Sequence, residues 1–187
     1  MADHVCPVWV GYLLASPIRK YFQHPQKILK PYVEKGMTVM DIGSAMGFFT
    51  LPMAHMVKED GRVICLDVQD KMLMALKKKA LNEDVFERID PRLCSGDDIG
   101  ITDLESQVDF ALAFAVLHEI RDVPRFFLQL YPALKPNARV LIAEPKGHVS
   151  ESQFSTTLSE AEKAGFLELG RPPIFRSRTA LLQKKGR

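Results

Sequence analysis

From Met37 onward the hydrophobic pattern switches repeatedly between short apolar runs and helical spacing. Thr38–Ile42 reads as a strand, Gly43–Gly47 as a turn, and Phe48–Val57 as a helix whose early Pro52 is tolerated near its start. Arg62–Asp67 is a second strand. Asp70–Leu81 follows as an amphipathic helix with Met72, Leu73, Leu76 and Ala80 on one face. A third strand is predicted at Arg92–Ser95, ending at Gly96-Asp97-Asp98, and a fourth at Val108–Val116, whose nearly unbroken apolar run suits burial on both faces. Asp122 caps a helix over Val123–Leu134, and Arg139–Ala143 is a fifth strand. Ser150 and Gln153 form a capping box ahead of Phe154, Leu158 and Ala161, and Gly165 stops that helix. Phe166–Leu169 and Thr179–Leu182 are two last strands joined through Pro172-Pro173.

Strand–helix alternation predicts a Rossmann-like, doubly wound α/β fold, with a mostly parallel seven-stranded sheet and helices on both faces. The final two strands lack room for a crossover helix, so they are expected to pair antiparallel at one edge. The sequence has 187 residues, which suits a single domain: an N-terminal helical segment (1–36) followed by the strand-bearing core (37–187).

Composition narrows the class. With 25 basic against 23 acidic residues, the charge does not advertise a nucleic acid or an anionic membrane as the main partner. The tail Arg171–Arg187 is basic, which leaves an RNA partner as the alternative to the favoured reading of a solvated end strand. Cys6, Cys65 and Cys94 are scattered, which argues against a disulfide framework or a structural zinc site and suits a reducing, cytoplasmic setting. No run reaches the roughly 20 apolar residues of a membrane span, and Val8–Ala15 lacks the basic flank of a secretory signal.

In a doubly wound sheet, ligands bind at the carboxyl ends of the strands. Gly43 and Gly47 permit backbone angles and close approaches there, with the N–H groups of the following helix free to face an anionic group. Asp67 closes the second strand, placed to accept from a ribose diol. Asp97 closes the third, placed to accept from an exocyclic amine. Each Asp alone could equally cap a turn; it is the ordered series that suggests a nucleoside. A dinucleotide fingerprint would read GxGxxG, whereas these glycines stand four apart and follow Asp41. A carboxylate beneath a pyrophosphate is unfavourable, but beneath an ammonium group it is favourable. Ribose, adenine and an amino-acid group together describe S-adenosylmethionine.

Val39–Gly47 resembles the first motif of the class I S-adenosylmethionine-dependent methyltransferases, and Val63–Asp67 their second-strand motif. Gly96-Asp97-Asp98 is similar to the adenine-binding motif, Asp109–Leu112 with Ala115–His118 to the fourth-strand motif, and Leu134–Val140 to the Leu-Lys-Pro-Gly-Gly turn. The resemblance covers about residues 25–185 and is closest to the small-molecule group that includes the ubiquinone and menaquinone methyltransferases. It implies cofactor contacts from Asp41, Gly43, Ser44, Ala45, Gly47, Asp67, Val68, Gln69, Met72, Gly96, Asp97, Asp98, Phe114 and Ala115. Ala45 departs from the usual central glycine, Asn137-Ala138 from Gly-Gly, and Phe114 from a small or polar residue.

The reaction so implied is methyl transfer to a small-molecule O, S or C acceptor by in-line displacement, in which the protein chiefly positions reactants. His118 is the candidate base, although a structural histidine at a strand-to-helix corner fits the same position. Glu144 and Lys146 face the same end, where Glu-Pro-Lys reads equally as a surface turn. Acceptor-contact candidates are Trp9, Tyr12, Arg19, Tyr21, His118 and Lys146. The aromatic N-terminal segment suits a lid over the cleft; a core helix or a homodimer contact are the alternatives. One cysteine, Cys6, is too few to hold a metalloid, and no metal site is expected. Phe114-Ala115-Val116-Leu117 replaces the Asn/Asp-Pro-Pro-aromatic tetrad of nucleic-acid amino-methyltransferases, which disfavours that substrate class. A nicotinamide-dependent oxidoreductase and a non-catalytic S-adenosylmethionine-binding partner protein are the competing functional classes.

Overall fold

The computed structural model describes residues 24–95 and 98–186. One seven-stranded sheet runs through the molecule in the order β3-β2-β1-β4-β5-β7-β6. Its strands are β1 (Thr38–Ile42), β2 (Arg62–Asp67), β3 (Ile89–Leu93), β4 (Val108–Phe114), β5 (Leu134–Pro145), β6 (Phe166–Gly170) and β7 (Ser177–Lys184). Strands β1 to β5 are mutually parallel, whereas β7 lies antiparallel to both β5 and β6. The helices are α1 (Pro25–Leu29), α2 (Thr50–Val57), α3 (Asp70–Asn82), α4 (Val123–Ala133) and α5 (Glu151–Lys163).

Period-two alternation along the central strands sends neighbouring side chains into two separate cores. Val39, Val63, Cys65, Phe110, Leu112 and Leu141 pack on one face, beneath α1, α2 and α3. Met40, Ile64, Leu66, Ala111, Val140 and Ile142 pack on the other, beneath α4 and α5. The continuous apolar run of β4 is therefore needed by both layers. Residues 24–36, assigned from sequence to the N-terminal segment, belong to the first core: Leu29, Tyr32 and Val33 are buried there, and the Tyr32 ring stacks on Phe110 with centroids 5.4 Å apart.

Local chemistry places the element ends. Asp122 Oδ1 accepts from Arg125 N–H at the start of α4, and both halves of the Ser150/Gln153 capping box are formed at the start of α5. The fourth strand ends at Phe114 rather than Val116 and the last runs over Ser177–Lys184 rather than Thr179–Leu182, but two others differ more from expectation. The third spans Ile89–Leu93 instead of Arg92–Ser95, and Asp67 pairs with Leu93. As an edge strand, β3 has an unpaired side on which Pro91 loses no ladder bond. The fifth strand begins at Leu134, which pairs with Val108 before the register shifts and resumes at Arg139. Asn137, within that irregular stretch, adopts φ 63°, a left-handed conformation that asparagine tolerates well.

Candidate active site

The carboxyl ends of β1, β2, β4 and β5 meet through a continuous set of contacts. At the end of β1, Asp41 is buried, 2% exposed, and accepts a 2.6 Å hydrogen bond from the Thr50 hydroxyl at the start of α2. In the turn that follows, Ala45 N–H donates to Asp67 Oδ2 at 2.8 Å, which joins β1 to β2. Gln69 N–H donates to Asp67 Oδ1 at 2.9 Å. Burial pushes the Asp67 carboxyl above its usual range, opposed by its hydrogen bonds from Gln69 and Ala45 N–H and by the nearby Val68 N–H.

The two glycines are required by protein neighbours. A Cβ on Gly43 would stand 2.7 Å from Val116 Cγ2, and one on Gly47 would stand 2.5 Å from Leu76 Cδ1. Both also have φ between 70° and 90°. Four N–H groups of the turn itself are already bonded within the protein. Gly43 and Ser44 N–H donate to Leu66 O, Gly47 N–H to Ser44 O, and Ala45 N–H to Asp67. What the turn contributes is its shape and the Ser44 side chain, whose Oγ is buried with no hydrogen-bond partner among the described residues.

Ala45 has φ 46°, in the left-handed region where a Cβ costs about 1–2 kcal/mol. Ala45→Gly removes that cost but adds about 0.4–1 kcal/mol of chain entropy lost on folding, for a net gain of about 1 kcal/mol or less. Thermal unfolding is expected to move up by about 2–4 °C at most for a chain of this size. A fall in the midpoint would show that the Ala45 methyl makes contacts worth more than the strain.

At the other end of the site Phe114 closes β4 and packs on Phe49, with centroids 4.6 Å apart. Ala115 follows in a left-handed conformation (φ 56°), its N–H donating to Ala143 O at 2.7 Å. This turns the next three residues over the end of β5. Glu144 is 2% exposed, and its Oε1 accepts from Val116 N–H and Leu117 N–H, both at 3.0 Å. Its Oε2 lies 2.5 Å from His118 Nδ1. Glu144 therefore does not sit in a surface turn: it is a buried carboxylate with three donors. Its hydrogen bond to His118 favours the imidazolium and holds the His118 pKa above the usual histidine value. The His118 side chain remains 24% exposed.

That pairing was missed from the sequence, yet a signal existed. In the parallel pair β4–β5, Phe114 lies opposite Ala143, so a polar residue following either strand meets the other at the same sheet edge.

The remaining predicted residues are placed as follows. Val68 is exposed, Gln69 half-buried and Met72 buried, all just past β2. Asp98 is exposed, and its Oδ1 accepts from Gly100 N–H at 2.8 Å. Lys146 is exposed just past β5. Gly96, Asp97, Trp9, Tyr12, Arg19 and Tyr21, with Cys6 and the proposed lid, lie outside the described residues. Both described cysteines are held as thiols. Burial and the Asp41 charge push Cys65 well up, and burial pushes Cys94 up to about 11. Among the described residues, no cluster of three His, Cys, Asp or Glu side chains is arranged to hold a metal ion, and no helix is long and apolar enough to cross a membrane.

A sheet of this order, with a glycine turn after β1 and carboxylates at the carboxyl ends of β2 and β5, defines the class I methyltransferase fold. The model of the family described as methyltransferase domain matches residues 33–171, and the chain belongs to that family, in its S-adenosylmethionine-dependent class. The ubiquinone/menaquinone biosynthesis C-methyltransferase UbiE of Enterobacter sp. (strain 638) is 27% identical over 112 residues, covering 60% of this chain and 44% of the relative. The match thus spans less than half the length of such curated relatives. A SAM-dependent methyltransferase from Aquifex aeolicus superposes with a TM-score of 0.83 at 22% identity, over 96% of this chain and 98% of that one. The [4+2]-cyclase SpnF shares the fold at a TM-score of 0.71 and 13% identity, over 87% of this chain and 81% of that one. One architecture therefore carries more than one chemistry, and the residues at the strand ends must decide.

Those residues fit S-adenosylmethionine. An ionised carboxylate has about four acceptor sites, and the two backbone donors on Asp67 leave room for a ribose diol. The unpartnered Ser44 Oγ supplies a further polar group in the same turn.

Proposed function

We propose that this chain transfers a methyl group from S-adenosylmethionine to a small-molecule O, S or C acceptor by in-line displacement, with His118 as general base. When bound, the cofactor supplies a methyl group carried on a sulfonium. Asp67 accepts from the ribose hydroxyls, the Gly43–Gly47 turn shapes the pocket around the amino-acid portion, and Asp41 contributes negative charge beneath it. Phe114 and Ala115 line the side nearest β4, while Gly96, Asp97 and Asp98 are assigned to the adenine.

The observation that carries the reading is the His118–Glu144 pair. With Glu144 ionised, His118 Nδ1 carries the proton and donates it to Oε2. Nε2 then keeps its lone pair and can take the proton of an acceptor hydroxyl, thiol or activated carbon as the new bond to methyl forms. A nucleophile that arrives protonated needs this step; the rest of the acceleration comes from positioning and water exclusion. Nucleic acid is not the acceptor in this reading.

Titration calorimetry of the whole chain with S-adenosylmethionine is the first test. Binding in the micromolar range is expected, and no heat at millimolar cofactor would sink the proposal. Binding with no turnover on any phenol, thiol or enolisable acceptor would instead leave a cofactor-binding partner protein.

A further inference from the structure

Beyond the methyl-transfer site, a groove of about 500 Å³ lies between the turn after β5 and the segment that leads into β7. That volume is within the range of pockets that hold small organic ligands. One wall is apolar, built from Pro172, Pro173, Ile174 and Phe175, the last 58% exposed. The other presents four cations, Lys146, Arg171, Arg176 and Arg178, against the single carboxylate of Glu151.

These cations are not equivalent. Arg171 Nη1 lies 3.1 Å from Glu151 Oε1, and Arg178 bonds Oε2 of the same carboxylate while its Nε donates to Val149 O at 2.7 Å. Lys146 and Arg176 have no side-chain partner among the described residues. Pro145 pairs with Ser177 in the β5–β7 ladder, so Lys146 and Arg176 are the next opposed positions, and Lys146 N–H donates to Arg176 O at 3.0 Å. Arg176 is also held in a left-handed conformation at φ 55°, which a bulky side chain seldom adopts. Two exposed cations without a side-chain partner, carried on opposed backbone positions beside an apolar wall, form a site that an anion would fit.

The groove adjoins the catalytic end. Lys146 stands two residues beyond Glu144, and in the same turn the His148 ring lies edge-on to His118 with centroids 5.8 Å apart. We propose that the groove is the acceptor's anion subsite: Lys146 and Arg176 together hold a carboxylate or phosphate group whose apolar body lies along Ile174 and Phe175. The assignment of this ligand as the methyl acceptor rests on the methyl-transfer reading of the adjoining site.

Calorimetry of the whole chain with 2-naphthoate and 2-naphthyl phosphate, with 2-naphthol as the uncharged control, tests it. At least one anion is expected to bind about tenfold or more tighter than 2-naphthol, as charge-assisted hydrogen bonds require. Whichever anion binds better names the group. K146Q/R176Q is expected to reduce the preference to less than about threefold, while K146R/R176K keeps it, because charge and not packing is what the site supplies. A wild-type chain that does not distinguish the anions from 2-naphthol, or a preference that survives K146Q/R176Q, overturns the proposal. S-adenosylmethionine titrated into the same samples separates the two readings: anion binding without cofactor binding retains the subsite and removes methyl transfer, and the reverse removes the subsite alone.

Discussion

Glu144→Gln is expected to lower methyl transfer by roughly 10²–10⁴-fold, the range that general-base catalysis supplies, while the chain stays folded and keeps its cofactor affinity. The glutamine carbonyl can still accept from Val116 and Leu117 N–H, which bond Glu144 Oε1 at 3.0 Å each. The side-chain amide then faces His118 Nδ1 and can only donate, so Nδ1 becomes the acceptor and Nε2 takes the proton. The ring remains in place with the wrong tautomer. Stability should fall by only about 1 kcal/mol, the scale of one exchanged hydrogen bond. Glu144→Ala is a poorer test, because it strands two N–H groups where Glu144 is buried and is expected to cost about 3 kcal/mol or more.

The pH profile checks the same assignment. Glu144 raises the His118 pKa by favouring the imidazolium. The wild-type kcat/KM should therefore climb as pH rises through that raised value, above the histidine norm of about 6.5. In Glu144→Gln the residual activity should titrate at lower pH, since the carboxylate that favoured the proton is gone. Stability runs in the opposite sense. The folded pKa exceeds the unfolded one, so the ion pair contributes fully below about pH 6.5 and its contribution is lost as pH rises through the folded pKa. Full activity in Glu144→Gln would remove His118 from the role of base.

Asp67→Ala is expected to weaken S-adenosylmethionine binding by about 100-fold or more, because hydrogen bonds to a charged group contribute roughly 1.5–3 kcal/mol each and two ribose hydroxyls are at stake. The loss has a second source. Asp67 also anchors Ala45 N–H and Gln69 N–H, so its removal loosens the turn that shapes the pocket. Asp67→Asn separates these contributions: it keeps an acceptor for one backbone donor but loses the charge. His118→Ala, at the far end of the site, should change cofactor affinity by less than about threefold while lowering turnover. Calorimetry on the two variants decides the matter, and equal losses of affinity would overturn the division of roles.

The sequence by itself determined the elements and their layering. Alternation of period 2 along Val39–Ile42, Val63–Leu66 and Ala111–Leu112 sorts side chains into two cores, and β4 reads as buried on both faces because its run is apolar throughout. Those are local properties of a chain in water, carried by residue type and spacing. The caps at Asp122 and Ser150 are legible for the same reason, since a cap joins residues three apart. The third strand was legible only in part, because whether Pro91 can join a strand depends on that strand lying at an edge.

Tertiary structure alone decided the chemistry of the strand ends. His118 and Glu144 are 26 residues apart, and Lys146 and Arg176 farther still; the first pair meets because parallel β4 and β5 end together, the second lies opposed because antiparallel β7 begins where β5 ends. A Glu-Pro-Lys turn gives no hint that its glutamate is buried, because burial follows from what the sheet and the Ala115 corner place over it. The glycines show the same division. Their left-handed backbone is a local requirement visible in the turn, whereas the contacts that exclude a Cβ come from Val116 and Leu76, side chains brought there only by packing.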